Sequence, residues 1–396
     1  MKRHKAGLLI RILIAIALGI GAGFVFPDWA ARLFATFNAI FSAFLGFIIP
    51  LLIVAFVAPA IAFIGRKAGA MLGVTVLIAY LMTLGSGMLA YLAGSLSFPP
   101  ILQTGEYGDV LAAAAAADPQ PFFTIEIQPL MSVMTALILA FVLGFGCAVI
   151  SKAETMRTWL VDFRDIIELV ILKVIVPLLP LYIFGIFLSM TVAGTVGTIL
   201  LTFIKIIAII FVLHVGLLIA QYCIAALFSR LNPFKALWTM MPAYFTALGT
   251  QSSAATIPVT LERTKKMGVD ANVAGFVVPL CATIHMSGST LKIVSCALAL
   301  MIVHGMPYDA MTFLGFTAML GITIVAAPGV PSGAIMASLG ILTSILGFSE
   351  ADNAMMIALY IAMDSFGTAC NITGDGAIAQ IVERLFPQKR PAVAAE

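Results

Sequence analysis

Residues 272–305 read NVAGFVVPLCATIHMSGSTLKIVSCALALMIVHG. The stretch is long enough to cross a bilayer at about 20 residues per span. A polar kernel, His285-Met286-Ser287-Gly288-Ser289-Thr290, nevertheless lies at its centre, with Lys292 just beyond. Backbone in hydrocarbon has no water to pair with, so such a kernel is tolerated only where it packs against protein or lines a cavity. A ligand is expected there.

The surroundings are as apolar as the stretch itself. Of 396 residues, 62% are hydrophobic and 10% charged, whereas soluble domains carry about 25% charged residues. Repeated apolar runs cover most of the chain, which excludes a soluble enzyme with one anchor. The net charge of +3 forms no basic face and implies no nucleic-acid partner. The cysteines Cys147, Cys223, Cys281, Cys296 and Cys370 lie in apolar segments without CxxC spacing and read as small buried hydrophobes. Met1-Lys2-Arg3-His4-Lys5 precedes an apolar run without a small-residue cleavage site, so a retained first helix is expected.

Outward from the kernel, apolar spans are expected at residues 7–26, 34–64, 69–96, 130–150, 166–193 and 196–228, with a long acidic connection over 101–129. Basic residues gather at alternate ends, which the positive-inside rule makes cytoplasmic together with both termini. Lys173 and Lys205 are expected to snorkel or pair. Residues 236–259 are interrupted by Thr250-Gln251-Ser252-Ser253 and flanked on both sides by basic residues. They read as a re-entrant hairpin. Residues 311–346, broken at Pro328-Gly329-Val330-Pro331-Ser332-Gly333, read as a second hairpin from the opposite side. Two broken segments, each beside a polar helix, point to an inverted-repeat transporter with a site near the midplane. In the last span, expected over 354–385, Asp364, Gly367, Thr368, Asn371 and Asp375 fall on one helical stripe. Carboxylates at membrane depth are costly without partners, so the stripe is expected to face a polar pathway, the alternative being structural pairing with a lysine such as Lys292.

The motifs Ser252-Ser253-Ala254-Ala255-Thr256-Ile257-Pro258-Val259-Thr260, Pro279-Leu280-Cys281-Ala282-Thr283-Ile284-His285-Met286-Ser287-Gly288-Ser289, Gly329-Val330-Pro331-Ser332-Gly333 and Asn371-Ile372-Thr373-Gly374-Asp375 resemble those of the dicarboxylate/amino acid:cation symporters. The resemblance covers essentially the whole chain. It implies an all-α membrane protein of eight transmembrane helices plus two re-entrant helical hairpins, with inverted repeats and elevator-type movement, assembled as a homotrimer in the inner membrane. Scaffold helices would occupy 7–68 and 130–194, a first transport-domain helix 69–100, an extracytoplasmic loop 101–129, and the rest of the transport domain 195–386.

Carried over by position, the resemblance implies that Ser253 and the Pro331 to Gly333 tip hold a substrate carboxylate, that Asp364 takes an ammonium and that Asn371 assists. Ser252, Ser289, Lys292, Val330, Ser332, Gly367 and Thr368 complete the implied substrate set. Asp375, with oxygens near Cys281, His285 and Asn371, matches a sodium position, and Thr283 a further one. Tyr80 and Thr83 match a third, where His285 and Ser287 replace the family's Asn and Asp and no sodium is expected.

His285 is read either as a proton carrier or as a neutral hydrogen-bond donor. Gly367 stands where glutamate and aspartate transporters have an arginine, and Lys292 where a tyrosine is common. The lysine would ion-pair with Asp364, meet an anionic substrate group, or neutralise Asp364 or Asp375 structurally. The function expected is symport of a small amino acid or related carboxylate with Na+ or H+ and no other cofactor. The alternatives are an uncoupled exchanger and an anion-conducting channel. An intramembrane enzyme is not expected, since the histidines show no paired-ligand spacing.

Overall fold

The computed structural model describes residues 8–64, 70–102, 119–150, 152–194, 196–325 and 333–386. Val330, Pro331 and Ser332 lie outside the described residues, as do most of the 101–129 connection and the basic pair Arg66 and Lys67. Among the described residues the secondary structure is helical, with no strand.

The first half consists of α1 (Leu8–Gly23), α2 (Asp28–Ile64), α3 (Ala70–Ser97), α4 (Val133–Val149), α5 (Glu154–Val170) and α6 (Val176–Val192), the last two joined by a π turn at Ile171–Ile175. The second half runs α7 (Val196–Ser229), α8 (Pro233–Thr250), α9 (Ser253–Lys266), α10 (Ala271–Ile284), α11 (Ser287–Val303), α12 (Ala310–Val325), α13 (Gly333–Leu346), α14 (Glu350–Ala362) and α15 (Asp364–Leu385). Five segments are long and apolar enough to cross a membrane: Asp28–Pro59, Ala70–Ser97, Glu154–Val192, Leu200–Ser229 and Ala271–Val303. The pair α14 and α15 makes a sixth, bent by 63°.

Local sequence sets the helix boundaries. Asn232 caps α8 by accepting from the N–H groups of Phe234 and Lys235, with Pro233 at the first helical position where its missing N–H costs nothing. Asp270 caps α10, and Ser349 with Asp352 forms a capping box on α14.

Three boundaries differ from the sequence expectation, and the first is the start of α2, at Asp28 rather than 34. The span expected at 166 begins instead at Glu154, because buried Arg157 folds back and donates to the carbonyls of Cys147 and Ile150 at the end of α4. Its guanidinium thus closes the C-terminal end of α4. The last span, expected as one helix, is two, broken at Met363 (φ −115°, ψ 11°).

Helices α1, α2, α4, α5 and α6 pack chiefly on one another, whereas α3 and α7 to α11 gather around α15. The second group encloses the opening stretch. In α10–α11, 94% of the most apolar window is buried, against 28% for α3 and 33% for α7. A helix with lipid on one side cannot be so covered. The kernel therefore sits in the middle of protein, as its backbone requirement demands.

Candidate functional site

The break between α10 and α11 is made by His285 (φ −93°, ψ 106°) and Met286 (φ −122°, ψ 33°). Three groups hold it open. The His285 N–H closes α10 on the Cys281 carbonyl at 2.8 Å, and the Met286 N–H donates to Thr83 Oγ1 on α3 at 3.3 Å. Asn371 of α15 caps the new helix: its Oδ1 accepts from the N–H groups of Gly288 at 2.7 Å and Ser289 at 3.3 Å, and its Nδ2 donates to Ser289 Oγ at 3.1 Å. Glycine at 288 permits the approach, since a Cβ there would lie 2.6 Å from both the Gly367 carbonyl and Cys370 Cβ.

One turn further along α15, Asp375 meets the break. His285 Nδ1 is 2.9 Å from Asp375 Oδ1 and 3.2 Å from the Asn371 carbonyl. The other ring nitrogen faces the Gln221 amide of α7 at 3.3 Å, and that amide also donates to Ser287 Oγ at 2.8 Å. A ring protonated at Nδ1 donates to the carboxylate and accepts from Gln221, which satisfies both nitrogens. Asp375 Oδ2 and Gln221 Oε1 remain buried without a partner among the described residues. A buried carboxylate oxygen left unpaired is a site that a proton or a small hard cation would satisfy.

A second pair lies at the bend. Lys292 on α11 is fully buried, with Nζ 3.5 Å from Asp364 Oδ1, 3.4 Å from the carbonyls of Tyr360 and Met363, and 3.3 Å from the centroid of the Tyr360 ring. These carbonyls lie at the junction of α14 and α15 and also accept from the N–H groups of Met363, Phe366 and Gly367, so the ammonium adds a donor at the bend while pairing with the first residue of α15. Lys292 also fills the space beside Gly367, where a Cβ would lie 3.0 Å from Nζ. Tyr360 Oη donates to Ser289 Oγ at 3.3 Å and ties the bend to the kernel.

A sequence profile of the sodium:dicarboxylate symporter family matches residues 8–385. The chain belongs to that family. The symporter family is one of transporters, not enzymes. The serine/threonine transporter SstT of Acinetobacter baumannii strain ATCC 17978 is 27% identical over 387 residues, covering 94% of this chain and 95% of that protein. The SstT of strain AYE is similar to the same degree. Human excitatory amino acid transporter 2 is 28% identical over 256 residues, 63% of this chain and 44% of that protein.

In this family member the structure brings Cys281, His285, Asn371 and Asp375 together, and separately Ser289, Lys292, Asp364 and Gly367. Thr283 is not among them: it is exposed and bonds its own helix at Leu280. Thr368 is half-buried on the α15 stripe, bonded to the Asp364 carbonyl at 3.1 Å. Ser252 caps α9 by accepting from Ala255, after Gln251 has turned the chain in the left-handed region (φ 53°), with Ser253 opening the helix, and α9 packs on α15. Gly333 opens α13, which packs on α2, α11 and α12. Tyr80, matched to the third sodium position, donates instead to the Ala318 carbonyl at 3.1 Å. Gln221 and Tyr360 went unnoticed in the sequence. A lone amide inside the 34-residue apolar α7 is the signal that marks Gln221. Nothing in the pattern marks Tyr360.

Proposed function

We propose that this symporter-family member is a secondary active transporter of a small amino acid or related carboxylate across the inner membrane, driven by Na+ or H+. The observation that carries the reading is the buried, half-satisfied Asp375 carboxylate beside a helix broken in the protein interior. Eight spans with two re-entrant hairpins, α8–α9 and α12–α13, fit the span lengths if α1 and α4 also cross. The cytoplasmic termini and the homotrimer are carried over from sequence charge and family resemblance. Residues 7–68 and 130–194 would form the scaffold, and 69–100 with 195–386 the elevator-like moving part. The packing of α13 against α2 and α4 supports a sliding contact there.

Substrate would bind among Ser252, Ser253, Ser289, Lys292, Val330, Pro331, Ser332, Gly333, Asp364, Gly367, Thr368 and Asn371. The driving cation would bind at Asp375 with oxygens near Cys281, His285 and Asn371, and Thr283 is kept as a further position. The similarity to a serine/threonine transporter and to an excitatory amino acid transporter supports amino acids as the nearest substrate class. The His285–Asp375 contact favours, as a second reading, a proton in place of sodium at that position. Proteoliposomes separate the two: accumulation under an imposed sodium gradient, or only under a pH gradient, identifies the ion. Equal uptake without either gradient would reduce the protein to a facilitator.

A further inference from the structure

Lys292 and Asp364 raise a question about the substrate that the transporter reading leaves open. The Lys292 ammonium has three N–H donors and three acceptors within 3.5 Å, the carbonyls of Tyr360 and Met363 and Asp364 Oδ1, with the Tyr360 ring face at 3.3 Å. It is satisfied inside the protein. The lysine side chain is 0% exposed and that of Asp364 is 10% exposed, so the carboxylate is the outward member of the pair and the ammonium stands behind it. A solute reaching Asp364 thus meets a neutral pair. A second ammonium placed there would be desolvated within a few ångströms of the first, a like-charge arrangement that disfavours binding. A hydroxyl in the same place donates a hydrogen bond to the carboxylate and brings no charge.

We propose that the solute is a carboxylic acid bearing a hydroxyl where an amino acid bears its ammonium, and that Lys292 is the residue that sets this preference. The inference rests on the transporter reading and narrows it. Relatives named for amino acids are no guide at this point, since the question turns on one side-chain pair in this chain.

The test is binding to the purified full-length protein, in sodium and at two pH values, of acids matched in carbon skeleton: glycerate against serine, lactate against alanine, malate against aspartate. The hydroxy acid of at least one pair should bind at least tenfold more tightly than its amino acid. Lys292→Met should shift that ratio at least tenfold toward the amino acid, and Lys292→Arg should leave its direction unchanged. Should Lys292→Met elute as aggregate, Lys292→Gln replaces it, because it removes the charge and keeps an N–H donor for the carbonyls of Tyr360 and Met363, and the same shift in the ratio is expected. Equal or tighter binding of the amino acids by the wild-type protein overturns the inference and leaves the transporter reading intact. If neither class binds and neither is taken up by proteoliposomes under either gradient, the transporter reading fails and this inference with it.

Discussion

Replacing Asn371 with leucine, a side chain of similar size without polar atoms, removes the group that holds the α10–α11 break against α15. The Gly288 N–H loses a 2.7 Å acceptor and the Ser289 N–H a longer one at 3.3 Å, while Ser289 Oγ loses a donor at 3.1 Å. All three lie in buried residues, where an unsatisfied group costs about 1–3 kcal/mol. Ser289 Oγ keeps the Tyr360 hydroxyl as a donor, so counting the short backbone bond in full and the longer one at the low end gives a loss of about 2–4 kcal/mol. An unfolding entropy of about 2 cal/mol/K per residue over 396 residues converts 1 kcal/mol to roughly 1 °C. The variant should therefore melt about 2–5 °C below wild type in detergent, followed by intrinsic fluorescence. Thr368→Val, which removes one bond within its own helix, should move the melting temperature by about 1 °C or less. If Asn371→Leu melts with the wild type, the break is held by something else and the capping account is wrong.

Other substitutions probe the same framework. Gly374→Ala puts a Cβ 2.6 Å from both Gln221 Oε1 and His285 Cε1, so the imidazole must leave Asp375. Cation-stimulated uptake should fall at least tenfold, whereas Gly315→Ala, with open space around it, should transport normally. Gly87→Ala drives its Cβ into Thr317 Cγ2 and should cost about 1–3 kcal/mol by overpacking, while Gly85→Ala, with nothing within 4 Å, should be neutral or slightly stabilising. Thermal melts of the two variants check the contrast. Gln251→Gly relieves a left-handed backbone at the α8–α9 tip and should raise stability by up to about 1 kcal/mol, while Gln251→Val should lower it.

Much of this arrangement is readable from residues 272–305 alone. A polar kernel within an apolar run signals interior packing whatever the fold, and Thr250 to Ser253 signal a tip because their polarity interrupts a run flanked by basic residues. The bend at Met363 was not readable. The residues around it, Leu359-Tyr360-Ile361-Ala362-Met363-Asp364, contain neither glycine nor proline, and the kink is stabilised by Lys292, 71 residues earlier in the chain. Long-range partners explain the other gaps as well. The resemblance set the His285 backbone near Asp375, but that the imidazole itself would meet the carboxylate, with Gln221 on its far side, follows from how α7, α10 and α15 pack, and no spacing within any one helix encodes it. The start of α5 at Glu154 rather than 166 is likewise set by a partner outside the helix, since the Arg157 fork closes the end of α4.

The account depends most on Asp375 being where the driving cation is bound. The measurement that tests this most directly is solute accumulation in proteoliposomes by wild-type protein and by Asp375→Asn, each under an imposed sodium gradient and, separately, a pH gradient. Wild type should concentrate solute under one of the gradients, and the monodisperse variant should equilibrate it at best under either. Accumulation by Asp375→Asn equal to that of the wild type would contradict the account.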